Sequence, residues 1–211
     1  MTKVEFYFDP GCPWCWVTSR WLLLVSEHRE MEVTWRPFSL AMKNGSLEKE
    51  EHSPYAAVHR ASHRVLRVMM AAHKHHNLPL IDSYTLFGIK HHVAGFDYDK
   101  EWTINVVNEL GLPKEISEAA DDTSYDELLA AELQSAVDVV GEDVGVPTIV
   151  FTTPGGEKQG YFGPVIREVP ELDEALRLWD GLSNLATVSS FYELKRSRPS
   201  GGPNTSSNAN C

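Results

Sequence analysis

Two cysteines three residues apart, Cys12-Pro13-Trp14-Cys15, stand after a β-branched and aromatic run, Val4-Glu5-Phe6-Tyr7-Phe8, and ahead of a helical pattern. This placement constrains the chain more than any other feature. The first run reads as a buried strand, and Asp9-Pro10-Gly11 breaks it. From Cys15 to about Arg29 the apolar residues Trp21, Leu22, Leu24 and Val25 recur at helical spacing. A cysteine that opens a helix sits beside unpaired backbone N–H groups and the positive end of the helix dipole, and both stabilise a thiolate. Cys12 has that position. Cys15, one turn on, is placed to displace a partner from a mixed disulfide on Cys12. Pro13 suits the first helical turn, where its missing N–H costs nothing. Trp14 sets a flat apolar surface beside the nucleophile. The bland alternative is a pair of buried or metal-bound cysteines. Two cysteines without a second such pair supply only half of a four-coordinate zinc site.

The rest of the chain surrounds this unit in a definite order. Glu32 to Phe38 alternates and reads as a second strand. Residues 39–141 read almost wholly as helix: Tyr55 to His76, ended by Asn77-Leu78-Pro79; Ser83 to Val93; Lys100 to Leu110, closed by Gly111; Lys114 to Ala120; and Ser124 to Val140, with Ser124 as N-cap, Glu127 at the capping-box position and Gly141 after it. Strands return at Pro147 to Phe151 and Gln159 to Phe162, joined by a turn at Pro154-Gly155-Gly156. A last helix spans Pro170 to Leu182, with Leu172, Leu176 and Trp179 on one face. The order β–α–β, helices, β–β–α predicts an α/β thioredoxin fold with a large all-helical insertion. The predicted units are a discontinuous thioredoxin-fold domain (1–38 and 142–196), a helical insertion domain (39–141), and a tail (197–211) whose Ser, Gly, Pro and Asn composition predicts disorder.

Composition narrows the partners. With 19 Lys and Arg against 30 Asp and Glu, the net charge is −11, which disfavours nucleic acid and anionic membranes as partners. No apolar stretch approaches the ~20 residues of a membrane span. Met1-Thr2-Lys3-Val4-Glu5 has no apolar h-region, so the expected location is the cytoplasm. A close cysteine pair there reads as redox-active rather than as a structural staple. The third cysteine, Cys211, ends the tail. His59 and His63 at i,i+4, and the cluster His73, His75, His76, lack the glutamate of a zinc motif, so no metal is expected. His91-His92 reads as helix surface. No Gly-rich phosphate loop or dinucleotide fingerprint occurs, so neither flavin nor a nicotinamide cofactor is expected. The sequence allows a homodimer.

A second signal is Gly145-Val146-Pro147-Thr148. In thioredoxin-like proteins a cis proline opens the third strand and faces the cysteine pair, and the residue before it pairs with substrate like an added strand. Pro147, with Val146 before it, has that position. With the helical insertion, these residues resemble the DsbA-like branch of the thioredoxin superfamily. Phe8 to Trp16 with Thr18-Ser19-Arg20-Trp21, Gly141 to Thr148, Phe162-Gly163-Pro164-Val165 and Phe191 to Arg196 are similar to the actinobacterial mycothiol-dependent nitroreductases. That resemblance implies a cytosolic enzyme that draws electrons from mycothiol, a low-molecular-weight thiol, to reduce nitroaromatic compounds or disulfides. It implies Cys12 as attacking and Cys15 as resolving thiol, Trp14 lining the substrate site, and Asn44 and Tyr55 as polar residues facing the pair. The rivals are a glutathione-transferase-kappa or isomerase-like enzyme, which carries Ser at the position of Cys12; a DsbA-type disulfide oxidase, which needs export; and a non-enzymatic redox-sensing or holdase module. The helical block is further expected to act as a lid whose position follows the redox state of the cysteines.

Overall fold

Five residues of the first strand, Lys3 to Tyr7, recur in the pairing of both its neighbours, and this fixes the sheet. The computed structural model describes residues 1–47, 54–153 and 155–207. Strand β1 (Thr2–Phe8) lies parallel to β2 (Met31–Pro37) and antiparallel to β3 (Thr148–Thr152), and β3 pairs antiparallel with β4 (Lys158–Phe162), giving the order β2-β1-β3-β4. Pro154, in the expected β3–β4 turn, lies outside the described residues.

Alternation along β1 gives its two faces different tasks. Tyr7 and its partner Arg36 point to one face, where helix α6 (Asp126–Val140) covers the sheet. Tyr7 Oη bonds Ser135 Oγ at 3.0 Å, and Arg36 pairs with Glu132 and, at 2.8 Å, with Glu5. Gly160 on β4 allows the close approach of this helix: a Cβ there would lie 2.4 Å from Val140 Cγ1. Phe6 and Phe8 point to the opposite face. Phe6 meets Trp35 edge-on at 5.3 Å, and Phe8 stacks on Tyr84 at 4.0 Å.

Helix α1 (Pro13–Ser26) is buried on nearly every side, including Trp16, Arg20 and Trp21. One flank meets α7 (Leu172–Leu185), where Trp21 Nε1 donates to the Ala175 carbonyl at 3.1 Å. The other meets the helical block through Trp16. Gly88, at the end of α4 (Leu80–Gly88), packs against the Trp16 ring, and a Cβ there would lie 2.2 Å from Cζ3. The rest of the block is the short α2 (Leu40–Lys43), the long α3 (Ala56–His76), a π-helical turn at Ile89–Val93, α5 (Lys100–Glu109), and 3₁₀ turns at Lys114–Asp121 and Thr123–Tyr125. Helix α3 buries Val65, Leu66, Val68 and Met69 and ends at Asn77, whose φ of 53° is the left-handed cap that Asn tolerates.

Three expectations are corrected. Ser124 does not cap α6: its N–H is taken by Asp122 Oδ1 at 2.9 Å, which winds a 3₁₀ turn first, so the α-helix starts at Asp126. The buried face of α7 is Ala175 and Trp179, not Leu172, which is 37% exposed; the Ala175 carbonyl accepts the Trp21 indole N–H of α1. His91-His92 is not helix surface, since His92 packs beneath the cysteine loop. Two bonds reach the tail segment. Asn204 N–H donates to the Arg167 carbonyl at 2.6 Å, and Val169 N–H to Ser207 Oγ at 2.9 Å. Cys211 lies outside the described residues.

Candidate active site

The chain leaves β1 through Asp9-Pro10-Gly11 and enters α1 at Pro13, so Cys12 is the N-cap residue, with extended backbone at φ −89° and ψ 111°. Its Sγ accepts the Cys15 N–H at 3.4 Å, the position an oxygen takes in an ordinary cap. Both cysteines are thiols. Cys12 keeps 8% of its surface, whereas Cys15 keeps none. Opposite them, the Val146–Pro147 peptide is cis, and the Cys12 thiol lies 3.7 Å from the Val146 carbonyl oxygen. One accessible sulfur thus faces one backbone acceptor, with a second sulfur behind it. A second cis bond, Gly163–Pro164, had no sequence signal that singled it out. The Pro164 carbonyl accepts from Thr18 Oγ1 at 2.8 Å and so fixes α1 from its other side.

The electrostatics separate the two sulfurs. Burial pushes the Cys15 thiol well above its ordinary range, the neighbouring Cys12 adds to this, and the charge of Asp9 pushes the same way. Asp9 is fully buried. Burial raises its carboxyl, while the N–H groups of Leu40 and Gly11, each 2.8 Å away, and the Ser62 hydroxyl pull it back. The carboxylate therefore ties the cysteine loop to the start of α2 and to α3. The loop is also held from the far side of the block. The Pro10 carbonyl accepts two bonds, from His92 Nε2 at 2.7 Å and from Tyr98 Oη at 2.6 Å. His92 Nε2 must carry its proton to donate there. Burial pushes His92 down to about 3. Gly11 sits against Ser62 and Val58 of α3, so close that a Cβ would lie 2.9 Å from Ser62 Cβ.

Of the residues singled out from sequence, Cys12, Pro13, Trp14, Cys15, Val146 and Pro147 come together. Trp14 is half-buried, with the Arg198 guanidinium over its ring at 5.1 Å. Asn44 and Tyr55 gather instead around His59: Asn44 Nδ2 lies 3.4 Å from His59 Nδ1, and the Tyr55 ring stacks on the imidazole at 6.3 Å. His59 in turn acts electrostatically on Asp9, so this cluster borders the cysteine loop through α3. His63 does not share a site with His59. It is buried, with Nδ1 2.9 Å from Ser39 Oγ and Nε2 3.1 Å from Asp126 Oδ1. Among the described residues, no three His, Cys, Asp or Glu are grouped to hold a metal ion, and no helix is long and apolar enough to cross a membrane.

Sequence reasoning passed over Asp9, His92, Tyr98 and the tail. Asp9 was legible only as part of a strand breaker, and His92 and Tyr98 lie some eighty residues from the carbonyl they hold.

Residues 11–196 match the Rv2466c-like family, described as mycothiol-dependent nitroreductase Rv2466c. Over 200 residues the chain is 30% identical to the uncharacterized protein Rv2286c of Mycobacterium tuberculosis, covering 93% of this chain and 82% of that protein. Among solved structures, the cytosolic disulfide reductase DsbM from Pseudomonas aeruginosa superposes with a TM-score of 0.56 at 18% identity, over 87% of this chain and 99% of its own. The probable DsbA oxidoreductase SCO1869 from Streptomyces coelicolor does so with a TM-score of 0.55 at 17% identity, over 97% and 99%. At such identities these two structures establish the DsbA-like thioredoxin fold.

Proposed function

From the premise that this chain belongs to the Rv2466c-like family of mycothiol-dependent nitroreductases, and so among the oxidoreductases, we propose that it uses the Cys12–Cys15 dithiol, recharged by mycothiol, to reduce nitroaromatic or disulfide substrates in the cytoplasm. One observation carries the reading: a single accessible sulfur, Cys12, faces the Val146 carbonyl, with a fully buried second sulfur one turn behind it.

The division of labour follows from that geometry. Cys12 is the sulfur a substrate reaches, and it stands at the N-terminus of α1. On a disulfide substrate, the Cys12 sulfur bonds one substrate sulfur and the other leaves as a thiol. Cys15 then displaces the bound half, giving two substrate thiols and a Cys12–Cys15 disulfide. Two equivalents of the small thiol return the pair to its reduced form and leave as their own disulfide. With a nitroaromatic the same two electrons and two protons convert the nitro group to nitroso with release of one water, and two thiols become one disulfide. The Val146 carbonyl accepts an N–H from the bound thiol or substrate, and Trp14 supplies the apolar wall. The site fits a thiol of this kind because an accessible sulfur, a backbone acceptor and a flat apolar surface converge there. The cytoplasm suits it because thiols stay reduced there.

The test is turnover of a nitroaromatic by the reduced enzyme, with mycothiol, glutathione and a thioredoxin compared as reductants. Mycothiol is expected to be the effective one. Cys12→Ser is expected to abolish thiol-dependent turnover. Cys15→Ser is expected to accumulate a mixed disulfide on Cys12, visible by mass spectrometry. Adduct on Cys15 in the first variant with none on Cys12 in the second would reverse the assignment.

A further inference from the structure

The family match ends at residue 196, yet the chain beyond it returns to the site. Gly201, at a φ of +97°, turns the backbone in a conformation that favours glycine. Beyond it the segment is anchored at four points. The Thr205 carbonyl accepts the Trp16 indole N–H at 2.9 Å, and Thr205 Oγ1 donates to the His92 carbonyl at 2.7 Å. Asn204 and Ser207 bond Arg167 and Val169. Trp16 follows Cys15 directly and is fully buried, so its indole N–H needs a partner within the fold, and the tail provides one. His92 is the residue that holds the Pro10 carbonyl ahead of Cys12.

The same segment carries Arg198 onto the ring of Trp14. In this acid-rich chain Arg29, Arg36, Arg64 and Arg67 each pair with a carboxylate. Among the described residues none pairs with Arg198, which is exposed and held over Trp14. A guanidinium is a planar fork of donors that matches a carboxylate. Here it stands over Trp14, the residue before Cys15. We infer that residues 198–207 form a strap that completes the substrate site, and that Arg198 makes the site prefer aromatic acceptors bearing an acidic group. This rests on the reductase reading for the word acceptor, but binding tests it separately.

The experiment follows the tryptophan indole N–H resonances of the full-length protein by NMR while 4-nitrobenzoate or its neutral isostere 4-nitrobenzamide is added. Unvaried protein is expected to bind the acid about fivefold more tightly than the amide, the scale of one partly exposed charge-assisted hydrogen bond. Arg198→Ala is expected to remove that preference and leave amide binding within about twofold. A chain ending at Gly202 retains Arg198 but lacks the anchors at Asn204, Thr205 and Ser207; it is expected to lose the preference as well. No preference in the unvaried protein, or an equal loss of both ligands in Arg198→Ala, would overturn the role of Arg198. Full preference in the shortened chain would overturn the strap. If both probes bind as expected but mycothiol drives reduction of neither, the reductase reading fails and the binding site stands.

Discussion

Asp9 adds its charge to the burial that already pushes the Cys15 thiol up. Its carboxylate is buried, fixed by the Leu40 and Gly11 N–H groups, and its charge acts on the Cys15 thiol in the same direction as burial. Asn in its place removes the charge and leaves one backbone N–H facing an amide NH₂, at a stability cost of about 1–3 kcal/mol. In a Cys12→Ser background, Asp9→Asn is expected to move the alkylation of Cys15 to lower pH, read as iodoacetamide rate against pH. An unchanged profile would remove Asp9 from any role in the ionisation of Cys15. The sequence displayed the sulfurs because their chemistry is written within four residues, and displayed Pro147 because a strand start and a thiol pair give it context. Asp9 was not legible as functional, since its three hydrogen-bond donors come from Gly11, Leu40 and Ser62, and only the fold brings the last two to it.

Elements were legible where periodicity was long and illegible where hydrogen bonding switches type. The strands and α3 follow the alternation and the apolar stripe in the sequence. The π-helical turn at Ile89–Val93 does not, because an i→i+5 bond changes the face a residue shows without changing composition. His92 lies in that turn and bonds the Pro10 carbonyl, and its burial has a thermodynamic signature. In the folded chain His92 is pushed down to about 3, whereas an unfolded histidine titrates near ~6.5. Between those values the unfolded chain binds a proton that the folded chain does not, so stability falls as pH drops from about 6.5 toward about 3. The His92 share of that slope is up to about 1.4 kcal/mol per pH unit. His63 and His91, also pushed down chiefly by burial, add to it. His92→Gln, which retains an N–H donor for Pro10, is expected to flatten the slope between pH 6.5 and 4 in denaturant titrations. An unchanged slope would mean that His92 takes up its proton without leaving the fold.

At the scale of the whole molecule, the helical block is coupled to the cysteine loop at every edge: Asp9 reaches α2, Gly11 touches α3, and the residues after α4 hold Pro10. If forming the Cys12–Cys15 disulfide shifts that loop, the block makes different contacts in the two redox states. Hydrogen exchange is expected to differ between reduced and oxidised protein over residues 40–110, most at 89–98, where His92 and Tyr98 grip Pro10. Equal protection in both states would make the block a fixed wall rather than a lid. The sheet order has a consequence of another kind. β1 is made first and lies at the centre, parallel to β2, but its other edge waits for β3, which follows only after residues 38–147. During synthesis the Lys3–Tyr7 edge therefore stays open while the helical block emerges and folds. For that interval the nascent chain carries an unpaired hydrophobic strand edge, the kind of surface that chaperones cover and that seeds aggregation in crowded translation.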